Sequence, residues 1–262
     1  MKTKKYKILV LSDMKDSVEG LLNNSIEVAK ILNADVDFFH VKKPTDIVSR
    51  ESQLSAVRTI NEQHITTGNK IKNLLEPISK NQGFKVNYKY AFGNVKEEIE
   101  SQIKKIAPDL VVLGKRKSKT LRFIGDNITD FVMKTHKGAV MIASEKKELI
   151  SANELSLGLL NSTDDSFNND LTKQLIEKTQ RPLRSFKIAN KDSREVETLS
   201  DNNNKTVDYV FEDSSSAMKT ISDYVNRNKI NLLCVDRGTD NPKMANYAKN
   251  AVSKVNVSLL VT

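Results

Sequence analysis

The chain has 262 residues, of which 38% are hydrophobic and 29% are charged, a composition typical of a globular protein with one large or two ordinary domains. It contains no apolar run of about 18 residues, so no transmembrane helix is expected, and its single cysteine excludes an internal disulfide bond. The formal net charge of +9 arises in the first half, since residues 1–150 hold 27 Lys and Arg against 18 Asp and Glu, whereas residues 151–262 hold 15 of each.

The first half of the chain alternates strand and helix patterns. Its first apolar run, residues 8–11, is too short for an export signal and predicts a buried strand in a cytoplasmic protein. Strands are predicted at residues 6–13, 36–41, 84–92, from 109 and at 139–143, and helices at 18–32, 52–80, from 95 and at about 127–136. Because a helix lies between successive strands, the five strands are predicted to pair in parallel.

After a polar joint at residues 145–153 the pattern restarts. Strands are predicted at residues 155–160, 183–188, 207–211, 232–235 and 257–261, with helices ending near 180, beginning at 216 and at about 244–254. Only about fifteen residues separate the second and third of these strands, against about forty in the first half. We therefore predict two tandem α/β domains, residues 1–148 and a shorter, degenerate 149–262, each a mostly parallel five-stranded sheet flanked by helices.

The loop after the fourth strand carries much of the excess positive charge. Between Gly114 and Gly125 lie Lys115, Arg116, Lys117, Lys119 and Arg122. A strand that leads through a glycine-containing loop into a helix can bind an anion, because the first N–H groups of the helix have no partners and its dipole favours negative charge. The alternative is a solvated charged surface. Asp126 or Asn127 is the predicted N-cap of that helix.

Four motifs in this order resemble the universal stress protein family: LVLSDMKDS at the end of the first strand, His40-Val41 at the end of the second, Gly93-Asn94 after the third, and PDLVVLGKR followed by GDN. The resemblance covers nearly the whole chain, most strongly residues 6–144, and is to the tandem form. It implies Rossmann-like domains of the adenine nucleotide alpha hydrolase type. Many members bind ATP through Gly, two residues, Gly, nine residues, Gly, and then Ser or Thr.

By this resemblance Gly114 and Gly125 are the first and third signature glycines, whereas Lys117 replaces the second and Asp126 replaces the Ser or Thr. The resemblance implies Asp13 and the Val41 backbone for adenine, Gly93 near the ribose, and Gly114, Lys117, Gly125 and Asp126 on the phosphate side. The basic loop and the helix start add Lys115, Arg116 and Asn127 as candidate phosphate contacts. A carboxylate about 4 Å from a phosphate costs about 1 kcal/mol in water and about 4 kcal/mol at an intermediate dielectric. Two good cationic contacts of about 1.5–3 kcal/mol each would offset it.

The resemblance thus implies ATP or another adenine nucleotide in the first domain, with Mg²⁺ only beside a nucleotide. In the second copy Asp236 and Ser162 stand where Gly114 and Asp13 stand in the first, so we predict no nucleotide there and a role as a built-in partner. Two alternatives stay open: a tandem stress protein that acts through protein partners, and a weak ATP hydrolase. A homodimer also stays open.

Other kinds of site are disfavoured by the residue patterns. The three histidines His40, His64 and His136 lack metal-ligand spacing, and His40 is expected to be hydrogen-bonded at a strand end. Cys234, in an apolar strand, is expected to be an inert core thiol. Tyr88, Tyr90 and Phe92 fit strand alternation better than a nucleic-acid surface.

Overall fold

The computed structural model describes residues 5–14, 18–43, 53–115, 128–144, 155–161, 170–179, 182–189, 206–238 and 241–262. The strands are β1 (Tyr6–Ser12), β2 (Ala34–Lys42), β3 (Val86–Phe92), β4 (Leu110–Gly114), β5 (Ala139–Ala143), β6 (Leu157–Leu160), β7 (Leu183–Ala189), β8 (Thr206–Glu212), β9 (Leu232–Val235) and β10 (Ser258–Val261). The helices are α1 (Val18–Leu32), α2 (Gln53–Gln82), α3 (Val95–Ile106), α4 (Ile128–Thr135), α5 (Asp170–Lys178), α6 (Ala217–Arg227) and α7 (Pro242–Lys254).

All ten strands form one sheet in the order β3-β2-β1-β4-β5-β10-β9-β6-β7-β8. Within each half, every pairing is parallel, so the predicted mostly parallel α/β fold is confirmed. The two halves meet where β5 and β10 pair antiparallel, with Leu259 opposite Ile142 and Val261 opposite Val140. The sequence predicted two five-stranded sheets and did not predict that they join edge to edge.

The faces of the sheet are covered by different helices. Residues of α1, α2 and α5 pack on one face and form a core that runs across both halves. On the other face, α3 and α4 cover the first half, and α6 and α7 cover the second. The chain therefore leaves β1 and β4, which are neighbours, toward opposite faces of the sheet. Such a divergence opens a crevice at the carboxyl ends of the strands.

Helix α3 shows how local sequence fixes the elements beside this crevice. The Asn94 side chain accepts a hydrogen bond from the backbone N–H of Lys96 and caps the start of the helix. Acidic residues lie in its first turn and basic residues in its last, which complements the helix dipole. The helix ends at Ala107, which adopts a left-handed conformation with φ of 47°. The predicted boundary at Gly93-Asn94 is therefore confirmed.

Helix α2 is continuous through Gly68 and Pro77, although both residue types disfavour a helix interior. It ends at Gly83, whose φ is +60°. The backbone N–H groups of Gly83 and Phe84 donate to the carbonyl groups of Lys80 and Ser79, at 3.4 and 3.0 Å. These bonds satisfy carbonyl groups of the last helical turn. A glycine in this conformation is therefore what stops the helix.

Two basic side chains cross between the halves in opposite directions. Lys115, directly after β4, donates from its ammonium group to the carbonyl of Val255 at the end of α7. Arg237, after β9, donates to the carbonyls of Met133, His136 and Gly138 at 3.2, 2.6 and 2.6 Å, at the end of α4. Helix carboxyl termini carry unpaired carbonyls and partial negative charge. Each half thus caps a helix of the other half.

Candidate functional site

A cavity of about 560 Å³ lies at the carboxyl ends of β1, β2, β4 and β5. Its volume falls within the usual range of small-molecule sites, about 300–1,000 Å³. Four of the residues predicted from the sequence line it: Asp13, Val41, Gly114 and Lys115. They come from three different strand ends, so the fold brings together residues that are up to about a hundred positions apart in the chain.

The other predicted residues fall into two groups. Arg116, Lys117, Gly125, Asp126 and Asn127 lie outside the described residues. Gly93 is described, but the cavity is lined by its neighbour Val95 instead. The backbone N–H of Gly93 donates to the Lys42 carbonyl at 3.1 Å, and a Cβ atom there would lie 2.7 Å from the Glu98 carboxylate. Gly93 therefore shapes the turn beside the cavity.

Gly114 keeps the space between β4 and α1 open. Among the described residues, a Cβ atom built at this position would meet only the Leu21 side chain, at 3.9 Å, and Leu21 also lines the cavity. A larger side chain at residue 114 would consequently extend into the cavity without displacing backbone. The absence of a side chain here leaves room for a ligand next to the strand end.

Lys115 borders the cavity, but its ammonium group is directed to the second half. Its backbone N–H donates to the Ala143 carbonyl at 2.9 Å, which continues the β4–β5 pairing by one residue. Its side chain donates to the Val255 carbonyl. Burial lowers the pKa of Lys115, because removing an ammonium from water disfavours its charged form. In this arrangement Lys115 caps α7 and does not offer its charge to the cavity.

The start of α4 supplies a hydroxyl group that the sequence did not indicate. Ile128 and Thr129, the first two residues of the helix, both line the cavity. The first N–H groups of a helix have no intrahelical partner and favour an anion. Thr129 lies three positions after Asp126, which replaces the Ser or Thr of the family signature. A hydroxyl is thus available near the expected phosphate side, although from a different position.

His40 lies at the end of β2 beside Asp13 and is only 7% exposed. Its Nδ1 atom lies 2.9 Å from the Ser12 carbonyl oxygen. Because a carbonyl only accepts hydrogen bonds, the neutral ring carries its proton on Nδ1 and leaves Nε2 as an acceptor. Burial lowers the pKa of His40, with the Ser12 carbonyl and the Asp13 charge opposing the shift. The expected hydrogen-bonded histidine is confirmed.

Two buried histidines predict a pH dependence of stability. Burial lowers the pKa of His40 and of His136 below the ordinary value of 6.5, and the Arg237 charge lowers that of His136 further. The unfolded chain then binds more protons than the folded chain as pH decreases from 6.5 toward the lowered pKa values of the folded state. We expect the free energy of unfolding, measured by urea titration, to be highest above pH 6.5 and to fall as pH decreases through that value.

Histidine variants test the origin of this pH dependence. The double variant His40→Gln, His136→Gln should lose most of the slope between pH 7.5 and 5.5. The variant His64→Gln, which keeps both buried rings, should retain it. A slope that persists unchanged in the double variant would contradict this explanation.

Three further lysines line the cavity at the end formed by β2 and α2: Lys42, Lys43 and Lys70. The Lys42 ammonium donates to the side-chain carbonyl of Gln63 on α2, at 2.7 Å. These lysines are not among the residues predicted from the sequence. Lys42 and Lys43 directly follow Val41 in the sequence. Their position at this end of the cavity could therefore have been predicted from that of Val41. The position of Lys70 depends on how α2 packs over the sheet.

The described residues offer little for metal or nucleophilic chemistry. Among them, no group of three or more His, Cys, Asp or Glu side chains could hold a metal ion. Cys234 is fully buried, and burial raises the pKa of its thiol, so it is an inert core residue as expected. In the part of the chain that the structure describes, no helix has both the length and the apolar character needed to cross a bilayer.

The end of β9, which corresponds to the end of β4 in the first half, is occupied by the chain itself. The Asp236 carboxylate accepts from the backbone N–H of Gly238 at 2.8 Å, and Arg237 extends to the end of α4. Gly238 has φ of +68°, and a Cβ atom there would lie 2.3 Å from the backbone nitrogen of Ala245 in α7. The segment after β9 is therefore packed directly onto α7.

Comparison with known proteins places this chain among similar sequences and folds. The family model described as the Universal stress protein family matches residues 6–144. A universal stress protein from Archaeoglobus fulgidus DSM 4304 is similar in structure, with 12% identity over 97% of this chain and 95% of that one, and a TM-score of 0.71. A functionally unknown protein, PA1789 from Pseudomonas aeruginosa PAO1, has 12% identity over 98% and 92%, and a TM-score of 0.58. No curated protein sequence matches. At these identities the structural likeness shows the fold alone.

Proposed function

The chain belongs to the universal stress protein family, and we propose that it is a cytoplasmic stress-response binding module that takes up ATP or another adenine nucleotide in this cavity. One observation carries the proposal. Asp13, Val41 and Gly114, to which the family resemblance assigns nucleotide binding, line a single cavity of about 560 Å³ at the switch point of the sheet. We also propose that residues 1–148 form the binding domain and that residues 149–262 serve as its built-in partner.

The two ends of the cavity suit different parts of a nucleotide. The adenine would bind against the Val41 backbone, with the Asp13 carboxylate as a hydrogen-bond acceptor. The phosphates would lie near Gly114, where the missing side chain leaves room, and near the start of α4 with the Thr129 hydroxyl. Helix N-termini bind phosphate through free N–H groups and the dipole. Any Mg²⁺ would enter with the phosphates, since this ion relies on substrate oxygens.

We propose binding in preference to catalysis. The described residues provide no cluster of potential metal ligands, and His40, the histidine at the cavity, is hydrogen-bonded to the Ser12 carbonyl with a lowered pKa. We expect phosphate release from ATP at trace rates only. Release that is fast and that is abolished by Asp13→Ala would favour the hydrolase instead.

A thermal-melting series tests the proposed ligand. We expect ATP and ADP at millimolar concentration to raise the melting temperature by several degrees, because a ligand at about 100 times its Kd stabilises the folded state by about 2.7 kcal/mol. Adenosine alone and pyrophosphate alone should have smaller effects, since each engages one end of the cavity. The measurement is scanning fluorimetry at pH 7.5.

Two glycine variants serve as the test and its control. Gly114→Val places a side chain in the cavity and should abolish stabilisation by ATP while the protein still folds. Gly20→Ala, at a helical position where an added Cβ has nothing within 4 Å, should retain it. Stabilisation by ATP that survives Gly114→Val would place the ligand elsewhere.

A protein that acts through partners without a nucleotide is the second candidate. It is favoured by Lys115, whose ammonium group caps α7 and is directed away from the cavity. This candidate predicts that no adenine nucleotide raises the melting temperature of the unmodified chain, and the same fluorimetry series decides between the two.

A further inference from the structure

We propose that the β2–α2 end of the cavity is a second anion subsite, formed by Lys42, Lys43 and Lys70. The preferred ligand is then a nucleotide with phosphoryl groups at two separate positions of the nucleoside. This inference rests on the proposed function, because it assumes that a nucleotide occupies the cavity. It goes beyond that proposal by assigning the lysines beside the adenine position at Val41 to a second phosphoryl group, carried by the sugar.

The subsite is built on one face of α2. Gln63, Thr67 and Lys70 are spaced four and three residues apart, so they lie along one stripe of the helix. Thr67 is 6% exposed and the adjacent Ile71 is fully buried, so this stripe packs toward the sheet. Thr67 and Lys70 both line the cavity. The packing of α2 therefore fixes Lys70 at the cavity and does not leave it on an unrelated surface.

Gln63, which accepts a hydrogen bond from Lys42, orients the Lys42 ammonium group without neutralising its charge. Gln63 accepts a hydrogen bond from the Lys42 ammonium at 2.7 Å, and the glutamine amide is neutral. An ammonium group bound to an amide keeps its full charge and two further donors for an incoming phosphate. This interaction orients Lys42 toward the side of the sheet on which α2 lies.

The charge balance of the cavity favours this end for an anion. The charged side chains that line the cavity are Asp13, Lys42, Lys43, Lys70 and Lys115. The Lys115 ammonium donates to the Val255 carbonyl, so the other lysines among the described lining residues all lie at β2 and α2. A single carboxylate, that of Asp13, opposes them among the described lining residues. Charge-assisted hydrogen bonds to phosphate are the contacts such a cluster is suited to make.

The two anion-binding ends are separated by the width of a nucleoside. Strand β1 lies between β2 and β4 in the sheet, and neighbouring strands are about 4.8 Å apart, so the ends of β2 and β4 are roughly 10 Å apart. The Lys42 ammonium is held at Gln63 on α2, so one phosphoryl group near Gly114 and α4 would not contact it in this arrangement. A second phosphoryl group, on the other side of the sugar, would be required to engage the lysines.

Isothermal titration calorimetry with adenosine 3′,5′-bisphosphate and 5′-AMP tests this inference. We expect the bisphosphate to bind the unmodified protein at least tenfold more tightly than 5′-AMP. In the double variant Lys42→Gln, Lys70→Gln this advantage should shrink to threefold or less, while the Kd for 5′-AMP changes by no more than about twofold. The control is Lys72→Gln, because Lys72 is exposed on α2, lies 3.5 Å from Glu76 and is not at the cavity.

The outcomes separate this inference from the proposed function. Equal affinities for the two ligands, or an advantage that persists in the double variant, would overturn the second subsite while leaving nucleotide binding intact. If neither ligand nor ATP binds, both proposals fail. Circular dichroism melts of the variants verify that any loss of affinity is not a loss of folding.

Discussion

Replacing Arg237 with methionine is expected to lower the free energy of unfolding by about 3 kcal/mol. The guanidinium donates to three carbonyl groups at the end of α4, at 2.6 to 3.2 Å. Hydrogen bonds to a charged group contribute about 1.5–3 kcal/mol each, and carbonyls left unpaired in the interior add a penalty. Removing the charged guanidinium from water is unfavourable and offsets part of the stabilisation that these hydrogen bonds provide. The same burial lowers the pKa of Arg237. The expected net loss is therefore smaller than three full contacts.

Urea unfolding measures this loss, with two comparisons. Arg237→Lys should lose less, since an ammonium keeps the charge but cannot span all three carbonyls. Arg227→Met, at an exposed position in the last turn of α6, should stay within about 0.5 kcal/mol of the unmodified protein. In the Arg237→Met protein the pKa of His136, followed by NMR, should also rise, because a nearby positive charge is removed. A loss no larger than that of Arg227→Met would show that the cross-half cap contributes nothing.

Gly238→Ala is expected to be the most destabilising glycine substitution, with a loss of about 3–5 kcal/mol. Its φ of +68° is unfavourable for a residue with a Cβ, which costs about 1–2 kcal/mol. The new Cβ would also lie 2.3 Å from the Ala245 nitrogen, so the backbone of α7 must move. The chain after β9 and α7 would no longer pack together as they do in the native fold.

Substitutions at two other glycines allow the conformational cost and the steric cost to be measured separately. Gly83 has φ of +60°, but no described atom lies within 4 Å of an added Cβ, so Gly83→Ala should cost only the conformational part, about 1–2 kcal/mol. Gly20 lies in α1 with open space around it, so Gly20→Ala should be neutral or stabilising by up to about 1 kcal/mol. Chemical denaturation of all three variants gives the ranking. Equal losses for residues 238 and 83 would contradict the steric explanation.

The fold follows closely from local sequence signals, whereas its central joint does not. Asn94 as an N-cap and the apolar run of β4 identify α3 and β4 because capping and burial depend on neighbouring residues. The antiparallel pairing of β5 with β10 joins residues such as Val140 and Val261, which are far apart in sequence. Hydrophobic periodicity identifies a buried strand, but it does not specify which other strand pairs with it.

The site residues at strand ends could be predicted from the sequence, whereas those contributed by helices could not. Asp13, Val41 and Gly114 lie at or directly after the carboxyl ends of their strands, so the parallel sheet alone brings them to one edge. Thr129 and Lys70 reach the cavity from helices, and their positions depend on where each helix packs. The Lys115 ammonium bonds to Val255, 140 residues later in the chain, and no local pattern indicates such a contact.

An NMR titration of the isotope-labelled protein with ATP locates the ligand most directly. Nucleotide binding in the first half predicts that the backbone amides of Asp13, Val41, Gly114 and Thr129 shift together and fit one Kd, while those around Gly238 stay in place. The absence of any shift up to millimolar ATP, or shifts confined to the second half, would contradict it.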